Sequence, residues 1–453
     1  MIRCSNLVKN WLKKLLKMEE TVLAPPKSVR GMLELDKNAF TIEVELPTIY
    51  VPANRAVSEV VNRLKMHGLL LRYKVKSARK RRIDDDENNG NESLVPIMLN
   101  PEKFKNFTSL PIDIQNFLEK FHVSESSNFR MVNSSIGYYD WSKEDIFKAV
   151  LPEGDHTVSG FSQVGHIVHI NLKESLYPYK KFIGQVLVDK VPQAKTVINK
   201  MKTIESTYRN FQIELLAGEP NYKTRVKENG CLFDLDFSKV YWNSRLCTEH
   251  KRVADLVQKN DLVIDATAGI GPFVVLAAKM FAPGVKIPGG KQLGVVKTKD
   301  FNSGTSETLT VENAPIRVLA NDLNPESTYW LEHNFKLNKI PEAMYKCFNL
   351  DAAEFIESHC KMELINFINN GDMKNRKIHI LMNLPASAVT FLPSFLGLLS
   401  GCGNEIDPKR LDHDSSPLPI FIYCYTFSKH EVSFYLNLSM PNIYFILIQG
   451  PRC

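Results

Sequence analysis

The last third of this chain alternates short apolar runs with helix-patterned stretches, and a chain built this way has few options besides a parallel sheet. DLVIDATAG leads into PFVVLAAKMF, and RVLANDLN leads into ESTYWLEHNFKLN. YKCFNLDAAEF, HILMNLP and IFIYCYTF bring the apolar β-type runs to five. Parallel neighbours need a crossover, and helical crossovers cover both faces of the sheet, which keeps the strands apolar on both sides. The expected fold class is α/β, a doubly wound Rossmann-like sheet. Such sheets bind ligands beyond the carboxyl ends of their strands, so the polar residue after each run carries the functional information.

After the first run comes Asp265-Ala-Thr-Ala-Gly269-Ile-Gly271-Pro272. Glycines in that turn let backbone approach a ligand, and the helix start offers free N–H groups. A nicotinamide fingerprint would need a third glycine where Val274 stands. An acid at the strand end, four residues before the first glycine, suits a cationic, amino-acid-bearing ligand better than a pyrophosphate. S-adenosylmethionine, with its ammonium and sulfonium, is the candidate cofactor. Asp322, followed by Leu323, is placed to accept ribose hydroxyls, as acids at the second strand do in dinucleotide folds. Asp351-Ala352 stands where an adenine amino group would be met. Asn383, in Asn383-Leu384-Pro385, offers an amide that matches a nucleobase edge. No metal site is expected.

Upstream, residues 28–72 read as a small α+β unit: FTIEVEL alternates as a strand and AVSEVVNRLKMHGLLL has helical period. Ser142 and Asp145 form a variant capping box before a helix. Pro178 opens a helix in PYKKFIGQVLVDK, and GHIVHINL, FQIELLAGE, TRVKENGCLFDLDF and VYWNS read as β-type. His166 and His169 would face opposite sides of one strand, which disfavours a shared metal. Residues 73–95, a basic cluster running into Asp84–Glu87, and residues 283–314, rich in Gly, Thr, Ser and Lys, read as loops. The first 18 residues hold five basic residues, no acid and apolar residues at helical spacing, the pattern of a mitochondrial presequence. Met18 offers a second start.

Lys and Arg number 57 against 50 acids, a net charge of +7 that permits a polyanionic partner without requiring one. Eight scattered cysteines include no CxxC pair, which disfavours a zinc ribbon or a disulfide framework. No apolar run reaches the roughly 20 residues that span a bilayer, so no membrane partner is expected.

Taken together, these blocks resemble the tRNA (guanine-37 N1)-methyltransferases of eukaryotes and archaea. The matching stretches are VRGMLELDKNAF (29–40), LPEGDHTVSGFSQVGHIVHINL (151–172), PYKKFIGQVLVDK (178–190) and DLDFSKVYWNSRLCTEHKRV (234–253). DATAGIGPF (265–273), ANDLNPESTYWLEHNFKLNK (320–339), FNLDAAEF (348–355) and MNLPASA (382–388) complete the set. The resemblance implies a class I methyltransferase that moves a methyl group from S-adenosylmethionine to N1 of the guanine 3′ of a tRNA anticodon. With the presequence read above at 1–18, it implies a tRNA-binding domain at 19–150, a middle domain at 151–244 and a methyltransferase domain at 245–453 with an atypical C-terminal end. It gives Arg245 the role of catalytic arginine facing guanine O6, with a structural salt bridge as the alternative. Asp322 becomes a ribose ligand or general base, Asn383 a guanine or methionine contact, and His250 a cofactor contact or else a buried structural histidine. Thr267 replaces a usual aromatic, and Ser244 a usual proline. The tail from His430 matches nothing in the family, so the sheet is expected to lack its normal edge. An aminocarboxypropyl transferase of wybutosine synthesis and a catalytically impaired tRNA-binding variant are the alternatives. The chain is expected to act as a monomer in the mitochondrial matrix, cytoplasm and nucleus.

Overall fold

A computed structural model describes residues 23–53, 55–71, 94–103, 106–154, 158, 160–201, 212–284, 314–370, 376–402, 405–406, 419–426 and 443–449. The stretches read as a presequence (1–18), as a charged loop (73–95) and as an inserted loop (283–314) lie wholly or almost wholly outside them. The chain divides into two compact units. One comprises Met1–Phe161, Ile170–Val197 and Leu216–Gly218; the other comprises Ser162–His169, Ile198–Leu215 and Glu219–Cys453. The stretch read as a middle domain, 151–244, thus contributes to both.

In the first unit, β1 (Ile42–Pro52) is the centre of an antiparallel sheet between β2 (Leu94–Met98) and β3 (Phe129–Ile136). Helix α1 (Arg55–Met66) buries Val60 and Leu64 against Ile49 and Val51, and α2 (Ile112–Glu119) adds Ile114 and Leu118 to the same core. Helix α3 (Lys143–Val150) starts at the expected cap: Ser142 Oγ accepts the Asp145 N–H at 3.1 Å. Pro178 lies in a 3₁₀ stretch, Glu174–Tyr179, that runs into α4 (Lys180–Lys190).

β4 (Phe161–Val164), β5 (Ile167–Ile170), β6 (Thr196–Lys200) and β7 (Ile213–Gly218) form a four-stranded sheet in that order, with most of their residues in the second unit. GHIVHINL is not one strand, because Gly165 and His166 form the turn before β5. β8 (Lys223–Glu228) and β9 (Cys231–Asp236) form a hairpin closed by Asn229 and Gly230, both at positive φ (47° and 81°). An Asn-Gly pair closes a two-residue hairpin without splaying its strands. VYWNS, read as β-type, is irregular. Its approach is held instead by Asn324, whose Nδ2 donates to the Lys239 carbonyl at 2.8 Å.

The second unit's main sheet is parallel throughout. Helix α5 (Cys247–Ala254) precedes β10 (Leu262–Asp265), and α6 (Pro272–Phe281) leads towards β11 (Arg317–Asn321). Helix α7 (Pro325–Leu337) leads to β12 (Tyr345–Phe348), and the helical segment 352–369 to β13 (Ile378–Met382). β14 (Ile420–Thr426) and β15 (Ile443–Gln449) follow, and the strand order is β12-β11-β10-β13-β14-β15. The five expected strands are present with reversal at β10, the topology that opens a crevice at strand ends. The expectation of a missing edge is corrected by IYFILIQ, which pairs in parallel with β14 over all seven residues.

Helix α7 docks onto β9 through two side-chain amides. Asn334 accepts the Asp234 N–H at 2.8 Å and donates to the Asp234 carbonyl at 3.2 Å. Asn338 does the same with Leu232, at 3.0 and 2.7 Å. Four helical residues rise about 6 Å and two strand residues about 6.6 Å, so an i, i+4 asparagine pair matches alternate groups of an exposed strand edge.

Candidate active site

The strands β12, β11, β10 and β13 end side by side, and each delivers one polar side chain at its carboxyl tip: Asp351, Asp322, Asp265 and Asn383. Asp265 is fully buried. Its Oδ1 accepts the Thr267 N–H at 3.1 Å, whereas Oδ2 has no hydrogen-bond partner among the described residues. Burial drives its pKa up from 3.8 to about 8, against the Thr267 hydrogen bond and with a further push from Asp322. Burial also raises the pKa of Asp322. There Oδ2 accepts the Gly269 N–H at 2.8 Å and Oδ1 the Asn324 N–H at 2.9 Å, so this acid fixes the glycine turn to the second strand.

The two glycines serve different ends. Gly269 has φ +57°, and a Cβ added there would meet nothing within 4 Å, so the backbone faces open space. Gly271 has φ +92°, and a Cβ would fall 2.6 Å from Leu331 Cδ1 and 2.8 Å from Val275 Cγ2. The first leaves room for a ligand to approach, and the packing of α6 on α7 explains the second. Gly271→Ala combines backbone strain with overpacking and is expected to destabilise the fold by about 2 kcal/mol or more. Gly269→Ala is expected to cost less stability and to lose mainly cofactor affinity. Paired thermal unfolding and ligand titration check both; equal losses of stability would contradict the division.

Asn321, which the sequence reading did not single out, is fully buried between the tips. Its Nδ2 donates to the Ala266 and Leu350 carbonyls at 3.1 and 3.0 Å, and Oδ1 accepts the Leu350 N–H at 3.0 Å. It spaces three successive loops. The available signal was a polar residue at the last position of an otherwise apolar strand.

Asp351 is exposed and caps the next helix, accepting the Ala353 N–H at 2.8 Å; Ala352 is buried and Leu323 is 41% exposed. Asn383 is half-buried, and its amide makes no hydrogen bond among the described residues. Arg245 lies in a 3₁₀ turn, Ser244–Leu246, whose first N–H bonds include Arg245 N to Asn243 Oδ1 at 3.1 Å. Its guanidinium is exposed and forms no ion pair among the described residues, so the salt-bridge alternative is not what the structure shows. His250 is buried at 2% exposure. Its Nδ1 lies 2.6 Å from Glu228 Oε1 and its ring meets Phe273 edge-on at 4.6 Å. It therefore supports the second residue of α6 and presents no open surface. No group of three or more His, Cys, Asp or Glu suited to a metal occurs among the described residues. Nor is any helix among them long and apolar enough to cross a membrane.

The chain was compared with known proteins. Residues 143–221 match the family described as the TYW2 N-terminal domain, and residues 224–287 match the TRM5/TYW2 methyltransferase domain. The tRNA (guanine(37)-N(1))-methyltransferase of Danio rerio is 39% identical over 412 residues, covering 90% of this chain and 74% of that protein. The Homo sapiens protein of the same name is 37% identical over 413 residues, covering 91% and 70%. The crystal structure of Trm5b from Pyrococcus abyssi is 24% identical, with a TM-score of 0.44, covering 78% of this chain and 80% of that one. Identity at this level, over nine-tenths of the chain, places it beyond a shared fold. The chain belongs to the tRNA (guanine(37)-N1)-methyltransferase family.

Proposed function

We propose that this chain methylates N1 of guanine-37 in tRNA, using S-adenosylmethionine bound across the tips of β12, β11, β10 and β13. Family membership supports the reaction, and the names of the curated relatives support guanine-37 over aminocarboxypropyl transfer. The observation that carries the site is the buried Asp265 Oδ2, without a hydrogen-bond partner among the described residues, at the start of the turn that holds the open face of Gly269. A buried acid without a partner is expensive unless a cation completes it, and S-adenosylmethionine brings one. The residues therefore fit this cofactor. When bound, it supplies an electrophilic methyl group.

The chain's own residues do the rest. Asp265 faces the cofactor's cationic end, Asp322 offers its remaining lone pairs to the ribose, and Asp351 with Leu323 and Ala352 borders the adenine. Asn383 presents an uncommitted amide to the guanine edge. Guanine N1 carries a proton at neutral pH, and as a general base, the other role open to Asp322, takes that proton, negative charge builds on O6; the guanidinium of Arg245, exposed and without an ion pair among the described residues, supplies a bidentate donor for it. His250 and Asn321 hold the loops in place. Phosphate contacts from the Lys and Arg surplus fix the tRNA, while the pocket reads the extruded base. The basic first 18 residues support a mitochondrial matrix product, and the start at Met18 a product of cytoplasm and nucleus.

Mass analysis of tRNA after incubation with the chain and S-adenosylmethionine tests the reading. One added methyl group at guanine-37 is the expected result, and none on a tRNA carrying adenine there. Efficient modification of the adenine variant, or addition of an aminocarboxypropyl mass, would contradict it.

A further inference from the structure

Asn349 has no task in the site above, yet it grips one of its turns. It is the first residue after β12, and Phe348 before it lies opposite Asn321 in the β11–β12 register. Its Nδ2 donates to two successive main-chain carbonyls, those of Asp322 and Leu323, at 2.7 and 2.9 Å. Two carbonyl acceptors settle which end of the amide faces them, because only its nitrogen donates. Successive carbonyls of an extended strand diverge, so their convergence on one nitrogen marks the bend by which the chain leaves β11. Asn321 works in the opposite direction, from the last residue of β11 to the N–H and carbonyl of Leu350, each at 3.0 Å. Asn349 therefore sits between a paired strand residue and a clamped neighbour, and its side chain starts from a fixed main chain.

The bend that Asn349 holds carries Asp322, placed at the ribose, and Leu323, placed at the adenine. The Asp322 carboxylate already accepts the Gly269 and Asn324 N–H groups. The direction of its remaining lone pairs is thus set by how the turn over 322–324 lies. The sheet itself does not depend on Asn349, which is exposed. The Asp322 N–H bonds to the Phe348 carbonyl at 3.2 Å, and Thr328 Oγ1 lies 3.3 Å from the carbonyls of both Asp322 and Phe348. Strand pairing is secured without the Asn349 amide, which leaves that amide to orient the turn.

We propose that Asn349 is a positioning residue for the nucleoside part of the cofactor: by holding the Asp322 and Leu323 carbonyls, it aims the Asp322 carboxylate at the ribose hydroxyls. The inference rests on the cofactor reading given above. Asn349 acts through the turn and touches no reacting atom.

The test is calorimetric titration of the full chain with adenosine and with 2′,3′-dideoxyadenosine, which lacks the two hydroxyls that donate to Asp322. Wild type is expected to favour adenosine by about tenfold or more, the usual effect of hydrogen bonds to a charged acceptor. Asn349→Ala should lower that preference several-fold while binding the dideoxynucleoside as wild type does. Asn349→Asp is isosteric but turns a carboxylate towards two carbonyls, so it should lower the preference further. KM for S-adenosylmethionine should rise several-fold in both variants. A role confined to stability would weaken both nucleosides alike, and melting temperatures show whether each variant is folded. An unchanged preference in folded Asn349→Ala, or an equal loss for the two nucleosides, would overturn the proposal and leave the cofactor reading standing. A wild type that binds neither nucleoside, or both alike, would remove the ribose role of Asp322 and this inference with it.

Discussion

Replacing Arg245 by alanine is expected to lower kcat for guanine-37 methylation by roughly 10²–10³-fold, the usual effect of deleting one donor aimed at a developing oxyanion. Cofactor affinity and melting temperature should stay at wild-type values. The side chain is exposed and has no ion-pair partner among the described residues, so its removal leaves no buried charge behind. The turn that carries it is held through the main chain, by Asn243 Oδ1 on the Arg245 N–H at 3.1 Å, and that bond survives the substitution. Arg245→Lys keeps the charge but loses the planar fork, so it should recover only part of the rate. Single-turnover methylation with saturating tRNA and S-adenosylmethionine measures the effect, and calorimetry with the cofactor alone provides the control. A parallel loss of cofactor binding would remove Arg245 from the guanine side of the site.

The strand tips were legible because a parallel sheet forces regularity on its sequence. Strands covered on both faces must be apolar throughout, so Asp265, Asp322 and Asn383 announce the carboxyl ends where the apolar runs stop. Helix α6 was equally plain, opened by Pro272 and apolar for most of its length. Residues whose partners are distant in the chain were not legible. Asn334 and Asn338 look like ordinary helix-surface amides until β9, about a hundred residues earlier, is laid beside them. Glu228 gives no sign that it meets His250. The sixth strand was misjudged for a related reason. IYFILIQ has clear β character but no family counterpart, and what decides its place is the open edge of β14, a tertiary fact. Periodicity reports which face is buried; it does not report which backbone group a polar side chain will reach.

The second large effect is expected at Asp265. Asp265→Asn should weaken S-adenosylmethionine binding by roughly 30- to 150-fold, corresponding to about 2–3 kcal/mol for losing one charge of a buried, hydrogen-bonded pair. It should also change how the ligand-free fold responds to pH. The folded-state pKa of Asp265, about 8, stands above its ordinary value of 3.8, so the folded chain holds this proton more tightly than the unfolded chain does. The stabilisation from that proton is fully present below the unfolded value. It is lost progressively as pH rises from about 4 towards about 8, because the unfolded state releases the proton first. The asparagine variant has nothing to titrate there, so its stability relative to wild type should improve steadily over the same window. Cofactor affinity should move the opposite way: the wild type must ionise Asp265 to pair with a cation, so its affinity should rise with pH up to about 8, while the variant stays flat. Urea unfolding of the ligand-free chain at pH 5 and pH 8, paired with calorimetry at the same two values, reads both effects. A wild type whose affinity is constant across that range would show that the buried carboxylate does not meet the cationic end of the cofactor. The basis for reading the four strand tips as a S-adenosylmethionine site would then fall with it, even if Arg245 behaved as expected.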